Sequence, residues 1–201
     1  MSKLILICLA AFALIVAPAT EAKVINLKDQ PYAAAGDGKA DDREALVRAF
    51  AALEAGDTLL LRPGDYRISL LQGPLHVPAG TTILGQNGKS RLLLFSNDGP
   101  KKDREFLRPR SDVTLEGITI ERDGDFPAVL IPMFGDVRKI QLRHCTIIGN
   151  VAKYPGDYCH AIQVGVSTLK DVLLHGVHIA DCTFGLFQQN AATGTVDGFV
   201  V

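Results

Sequence analysis

Between positions 153 and 189 the sequence gathers side chains able to move a proton or hold a charge: Lys153, Asp157, His160, Gln163, Lys170, His175, Gln188 and Gln189, with Arg143 shortly before them. Imidazole titrates near neutral pH, so His160 is a candidate base, with Asp157 beside it and Arg143, Lys153 or Lys170 as cations for a developing negative charge. For each of these the competing reading is a solvated or packing side chain. Other chemistries fit poorly. Cys145, Cys159 and Cys182 lack Cys-x-x-Cys spacing, which argues against zinc; they read as small core residues, with one disulfide plus a spare thiol as the alternative. Gly88-Lys-Ser90 imitates a phosphate loop, but Ile83 stands where the first glycine belongs and a strand, Leu92 to Phe95, follows where a helix should begin. Glu121-x-Asp123-Gly-Asp125 lacks EF-hand spacing and reads as a polar loop.

Composition bounds what can position these groups. The chain has 201 residues, 47% of them apolar and 21% charged, which suits one ordered domain with a sizeable core. With 21 basic against 22 acidic residues it has no electrostatic footprint for a nucleic-acid partner. Tryptophan is absent and aromatics are 6%, so few rings are on offer as stacking platforms. Lys3 precedes an apolar run from Leu4 to Val16, followed by Ala17-Pro-Ala19 and Thr20-Glu-Ala22; residues 1–22 read as a signal peptide. The run falls short of the roughly 20 residues needed to cross a bilayer. The expectation is a secreted or periplasmic protein with no membrane partner after signal cleavage.

Residues 23–56 read as a short strand (Val24 to Leu27), a glycine turn (Gly36-Asp37-Gly38) and a helix from Asp42 to Ala55. Asp41 and Glu44 have capping-box spacing, Leu46, Ala49, Phe50 and Leu53 share a face, and Gly56 offers a left-handed stop. From 57 to 201 the period is that of strands. Val113–Ile120, Ile140–Ile147 and Val172–Ile179 share one pattern: apolar, x, apolar, a two-residue break, apolar, x, apolar. Period-two alternation on both sides of a short break describes a corner, where one left-handed residue suffices: Gly117, His144 or Gly176. With weaker copies the bends fall at 85, 117, 144, 176 and 198, separated by 32, 27, 32 and 22 residues. A constant corner with variable loops indicates stacked coils, and the last interval leaves room for a third strand per coil. The predicted fold is all-β, a right-handed single-stranded parallel β-helix with an N-terminal capping α-helix that covers the open end of the coil. Gly198-Phe-Val-Val201 stops inside a coil, which reads as an incomplete C-terminus.

Ala35-Gly-Asp-Gly-Lys-Ala-Asp-Asp42, the helix through Leu53, and Gly56-Asp-Thr-Leu-Leu-Leu-Arg-Pro-Gly-Asp-Tyr66 together resemble the N-terminal signature of secreted right-handed β-helix proteins of the pectate-lyase superfamily, the branch with rhamnogalacturonase- and epimerase-like members. The signature builds the cap, so Asp37, Asp41 and Asp42 read as turn and cap residues. The resemblance implies work on acidic, uronate-containing polysaccharide by lyases, epimerases or hydrolases, with calcium in the lyases. It also implies a site on an outer groove along Ala128 to Ile131, His160 to Val164 and Gly185 to Gln189. There His160 would be the base, with Asp157 beside it. Arg143, Lys153 or Lys170 would meet the substrate carboxylate, and Gln163, Gln188, Gln189, Lys153 and His175 would bind sugar. Where polygalacturonase-like hydrolases carry Asn-Thr-Asp and then paired aspartates, this chain has Tyr158-Cys-His160 and Phe184-Gly-Leu-Phe187, so a lyase or epimerase is expected ahead of a hydrolase. The alternatives are a non-catalytic β-helix that binds polysaccharide or a partner, and an inactive truncated fragment.

Overall fold

The computed structural model describes residues 21–70, 73–96, 104–165, 168–189 and 195–201; the signal-peptide reading falls outside them except for Glu21 and Ala22. Every strand pair among these residues is parallel. The first stack holds β1 (Val24–Asn26), β3 (Thr58–Leu60), β6 (Thr82–Leu84), β10 (Val113–Glu116), β13 (Val137–Arg143), β16 (Thr168–His175) and β19 (Thr195–Val200). The second holds β2 (Asp37–Asp41), β4 (Gly64–Ser69), β7 (Ser90–Phe95), β11 (Thr119–Arg122), β14 (Thr146–Ile148) and β17 (His178–Ala180). The third face is built from β5 (Leu75–Val77) on β9 (Leu107–Pro109), and from β8 (Arg104–Glu105), β12 (Ala128–Phe134), β15 (Cys159–Gly165) and β18 (Phe184–Gln188). The chain visits the three faces in turn, coil after coil, as a right-handed parallel β-helix. Among the described residues no helix is long and apolar enough to cross a membrane.

The alternating pattern puts like residues on top of one another. Ile25, Leu59, Ile83, Leu115, Leu142 and Leu174 pair in register and are all buried, as are Tyr66, Leu92, Ile120 and Ile147 on the second stack. Each buried aliphatic contributes about 1.5–3 kcal/mol relative to exposure, so these columns hold the coils together. Residues 85, 117, 144 and 176 follow the paired positions Leu84, Glu116, Arg143 and His175 and form one column of corners, with φ of +65°, +51° and +62° at Gly117, His144 and Gly176.

Position 198 belongs elsewhere. Lys170 pairs with Asp197 and Val172 with Phe199, so Gly198 lies opposite Asp171, at the entry to the first stack. That corner has its own left-handed column: Gly56, Gly80, Asp112, Lys139, Asp171 and Gly198 all have positive φ. The 22-residue interval therefore joined two different corners. The third strand it suggested exists all the same, as β18.

The helix, α1 (Arg43–Ala52), is shorter than the spacing predicts, and its N-cap residue Asp42 makes no side-chain bond to it. Asp41 Oδ1 accepts from the helix's first amide, Arg43 N (3.0 Å), and from Ser69 N (3.1 Å), while the Asp42 carboxylate accepts from Ala35 N (2.7 Å) and Gly36 N (3.0 Å). Leu53 is extended at ψ 136°, which ends the helix before Gly56. The expected glycine turn at 36–38 opens a strand, β2, paired with β4. Asp37, Asp41 and Asp42 are turn and cap residues as expected, though not in capping-box form. With Leu46, Ala49 and Phe50 buried, α1 stands where the first coil's third strand would be and closes that end of the core.

Candidate functional site

On the third face β12 and β15 keep one register from Ala128 with Cys159 to Phe134 with Gly165, with Leu130 and Ala161 left out of the pairing. His160 and Gln163, three residues apart, nonetheless meet side chain to side chain. His160 stacks with the rings of Tyr158 (4.7 Å) and Phe187 (4.6 Å) and meets Phe184 at 5.3 Å. Gln163 donates Nε2–H to Gln189 Oε1 at 2.9 Å, so its own Oε1 faces His160 Nδ1 at 3.0 Å. With the amide so oriented, Nδ1–H is the donor of that bond. His160 is thus an oriented imidazole in an aromatic setting.

Beside this face, at the corner where the third face passes into the first stack, an open groove runs along the coil axis. Three hollows join end to end. One of about 400 Å³ is lined by Arg43, Phe50, Pro74, His76 and Arg110 among others; the next, about 450 Å³, by His76, Arg108, Arg110, Phe134 and Asp136; the third, about 320 Å³, by Ser111, Asp136, Arg138, Thr168 and Lys170. His76 and Arg108 are register partners on β5 and β9, both pointing outward from buried neighbours. Arg108 bonds Glu105 and lies 5.0 Å over the Phe134 ring. Asp112 meets Lys139 at 3.5 Å and Arg138 at 3.9 Å. Cations outnumber acids along these walls, where Asp136 is the one carboxylate among the described lining residues. His76 has its pKa held below the ordinary imidazole value, first by partial desolvation against the groove wall, then by the charges of Arg108 and Arg110, with Glu105 pulling the other way. It is neutral at neutral pH.

The residues expected from sequence divide by position. His160, Gln163 and Gln189 come together, Gln188 is exposed on β18 outside their bonds, and Lys170 joins the groove. Lys153 and Asp157 sit in the loop between β14 and β15, where Lys153 Nζ lies 3.7 Å from Asp123 and 4.8 Å over the Tyr154 ring. Arg143, bonded to Gln141 at 2.8 Å, and His175, edge-on to His144 at 5.1 Å, stand at the opposite corner, between the first and second stacks. That loop is anchored by Arg122, fully buried, whose guanidinium donates to the carbonyls of Gly149 (2.6 Å), Phe126 (2.8 Å), Tyr154 (3.0 Å), Asn150 (3.4 Å) and Asp157 (3.4 Å). Among the described residues no group of three or more His, Cys, Asp or Glu is placed to hold a metal ion.

Sequence reasoning missed His76, Arg108, Arg110, Phe134 and Arg138. The signal was present but short: Leu75-His-Val77 and Leu107-Arg-Pro109 are apolar-x-apolar triplets, each exposing its central residue, and each precedes a corner.

The sequence matches no known family model, and no curated protein matches it. Among solved structures it is similar to a chain titled Geobacillus virus E2 ORF18, with TM-score 0.50 and 10% identity over 77% of this chain and 41% of that one. It is also similar to an iota-carrageenase complexed to iota-carrageenan fragments (TM-score 0.48, 16% identity, 78% of this chain and 41% of that one). A third is the Azotobacter vinelandii mannuronan C-5 epimerase AlgE4 A-module (TM-score 0.35, 17% identity, 76% and 58%). This chain spans less than two thirds of each of those chains. At 10% identity the likeness to the first of these is one of fold alone.

Proposed function

We propose that this chain is a carbohydrate-active β-helix that lays an acidic, uronate-containing polysaccharide along the corner groove and removes the proton next to a uronate carboxylate. The observation that carries the reading is His76: an imidazole opposite Arg108 and near Arg110, its pKa held below the ordinary value, on the wall of a groove rich in cations and parallel to the coil axis. Proton abstraction beside a carboxylate needs an unprotonated base and positive charge for the enolate that forms. His76 takes the C5 proton while the two guanidinium groups hold the carboxylate. In a lyase the electron pair then expels the C4 oxygen and leaves a C4–C5 double bond; in an epimerase a proton returns from the other face. Hydrolysis would need two carboxylates flanking the bond, and the described groove walls offer Asp136 alone. The same needs relate the chain to the pectate-lyase superfamily, whose N-terminal signature its sequence resembles.

His160 lies on the same outer surface, three strand spacings further on, roughly 14 Å at about 4.8 Å per strand. With Gln163, Gln188, Gln189 and the rings of Tyr158, Phe184 and Phe187 it would contact sugars beyond the reacting one, and Lys170 would meet a further acidic group. Residues 1–22, as a signal peptide, would deliver the protein to the periplasm or the medium, where such polymers occur; exported material should then begin at Lys23. Incubation with pectate or alginate, followed by the ultraviolet absorbance of unsaturated uronides and by uronate composition, tests the reading. Retention of the glycan with neither elimination nor epimerisation would make this a binding β-helix instead.

A further inference from the structure

We propose that Cys159 and Cys182 are a disulfide-forming pair that staples two successive coils, leaving Cys145 as the odd thiol. The inference does not rest on the groove or its substrate. In the β15–β18 ladder His160 lies opposite Phe184, which sets Cys159 opposite Thr183, one residue from Cys182. Two hydrogen bonds fix that step: Thr183 N–H donates to Cys159 O at 2.8 Å, and Cys159 N–H donates to Thr183 Oγ1 at 3.0 Å. Neighbouring strands lie about 4.8 Å apart and successive residues about 3.3 Å, so a one-residue offset separates the Cα atoms by roughly 6 Å, within the roughly 4.4–6.8 Å that a disulfide spans. The nearness of the two thiols pushes Cys159 up, with burial adding to it, and draws Cys182 down, while Cys182 Sγ donates to Ala180 O at 3.3 Å. Cys145 is held elsewhere, its Sγ donating to Leu115 O (3.3 Å) and Arg143 O (3.4 Å) at the corner between the first and second stacks. Of the three pairings open to Cys145, Cys159 and Cys182, the fold favours one.

Access gives the order of events. Cys182 is half-buried and Cys159 fully buried, so Cys182, the thiol with the lowered pKa, meets the oxidant first. With a small-molecule disulfide, its thiolate attacks one sulfur and expels a thiolate. Cys159 then gives up its proton, attacks Cys182 Sγ and expels the second thiolate. Two protein thiols lose two electrons and two protons, and the oxidant leaves as two thiols. The closed loop spans one whole coil, including β16 and β17, and ties it to β15.

The test uses the full chain treated with oxidised glutathione, alkylated and peptide-mapped. The expected result is one Cys159–Cys182 cross-link, an alkylated Cys145, and a thermal midpoint higher by on the order of 5–10 °C, reversed by reduction. Cys145→Ser should give the same cross-link and the same shift. A cross-link that includes Cys145, glutathione retained on Cys182, or Cys159 and Cys182 both alkylated after oxidation would overturn the proposal.

Discussion

His76 draws its character from its neighbours. The ordinary imidazole value is 6.5, and desolvation together with Arg108 and Arg110 sets the folded value lower. The ring therefore stays neutral through neutral pH and gains its proton only as pH falls below that lowered value, so the acid limb of kcat/KM should lie below the usual histidine range. In Arg108→Gln, with one cation gone, that limb should move up toward 6.5, alongside a raised KM; an unmoved limb would remove His76 from the mechanism. Arg122 makes a structural demand of a similar kind, because five backbone carbonyls converge on its guanidinium. Arg122→Met keeps much of the volume but leaves buried acceptors unpaired, and should cost about 3 kcal/mol or more by denaturant unfolding. Neither role is visible from residue type alone: a histidine inside a three-residue strand and an arginine at a strand end look like surface residues until the coil closes around them.

Elements meet at corners and at the cap. The corner column at 117, 144 and 176 was legible because left-handed backbone favours glycine and a few polar residues, and because the flanking apolar pairs repeat. The second column, of three glycines, two aspartates and Lys139, was not, since the repeated apolar pairs flank the first column on both sides and this one on one side only, and Gly198 belongs to this second corner. At Gly117 a Cβ would stand 2.7 Å from Gly85 O, at φ +65°. Gly117→Ala meets unyielding backbone, and should lose about 2 kcal/mol or more in urea unfolding; an unchanged midpoint would contradict the corner geometry. Between α1 and β3, Asp57 accepts from Glu54 N (2.7 Å) and Lys23 N (2.9 Å) and pairs with Lys23 Nζ at 3.1 Å. Those bonds, the backbone amides first, lower its pKa. Its stabilisation is complete above the ordinary carboxylate value of 3.8 and is lost as pH falls through the lowered folded value. Asp57→Asn should be less stable at pH 7 and lose less on acidification, which unfolding curves at both pH values would show. The helix differs from its expected bounds because Asp42 accepts from Ala35 N and Gly36 N instead of helix amides and Leu53 turns extended, choices that local spacing does not encode.

At the scale of the whole molecule, the coil turns short-range pattern into a long surface. Stacking coils align the ends of β5, β9, β12 and the starts of β13 and β16 along one corner, so residues as distant in sequence as His76 and Lys170 line one continuous groove. The fold was legible because each coil repeats the same local rule. The groove was not, because its residues come from triplets too short to stand out and depend on register for their alignment. His160, Gln163 and Gln189 were found from sequence because they lie in longer strands of clear pattern, while Arg143 and His175 share that neighbourhood in sequence but face another corner. Transfer of solvent deuterium to uronate C5, or the formation of unsaturated uronide ends, during incubation with pectate and alginate in deuterated water tests the central claim most directly. The account predicts proton removal by the wild-type chain and a loss of about 100-fold or more in His76→Ala; an equal rate in that variant, or no exchange and no elimination by the folded wild type on either polymer, would contradict it.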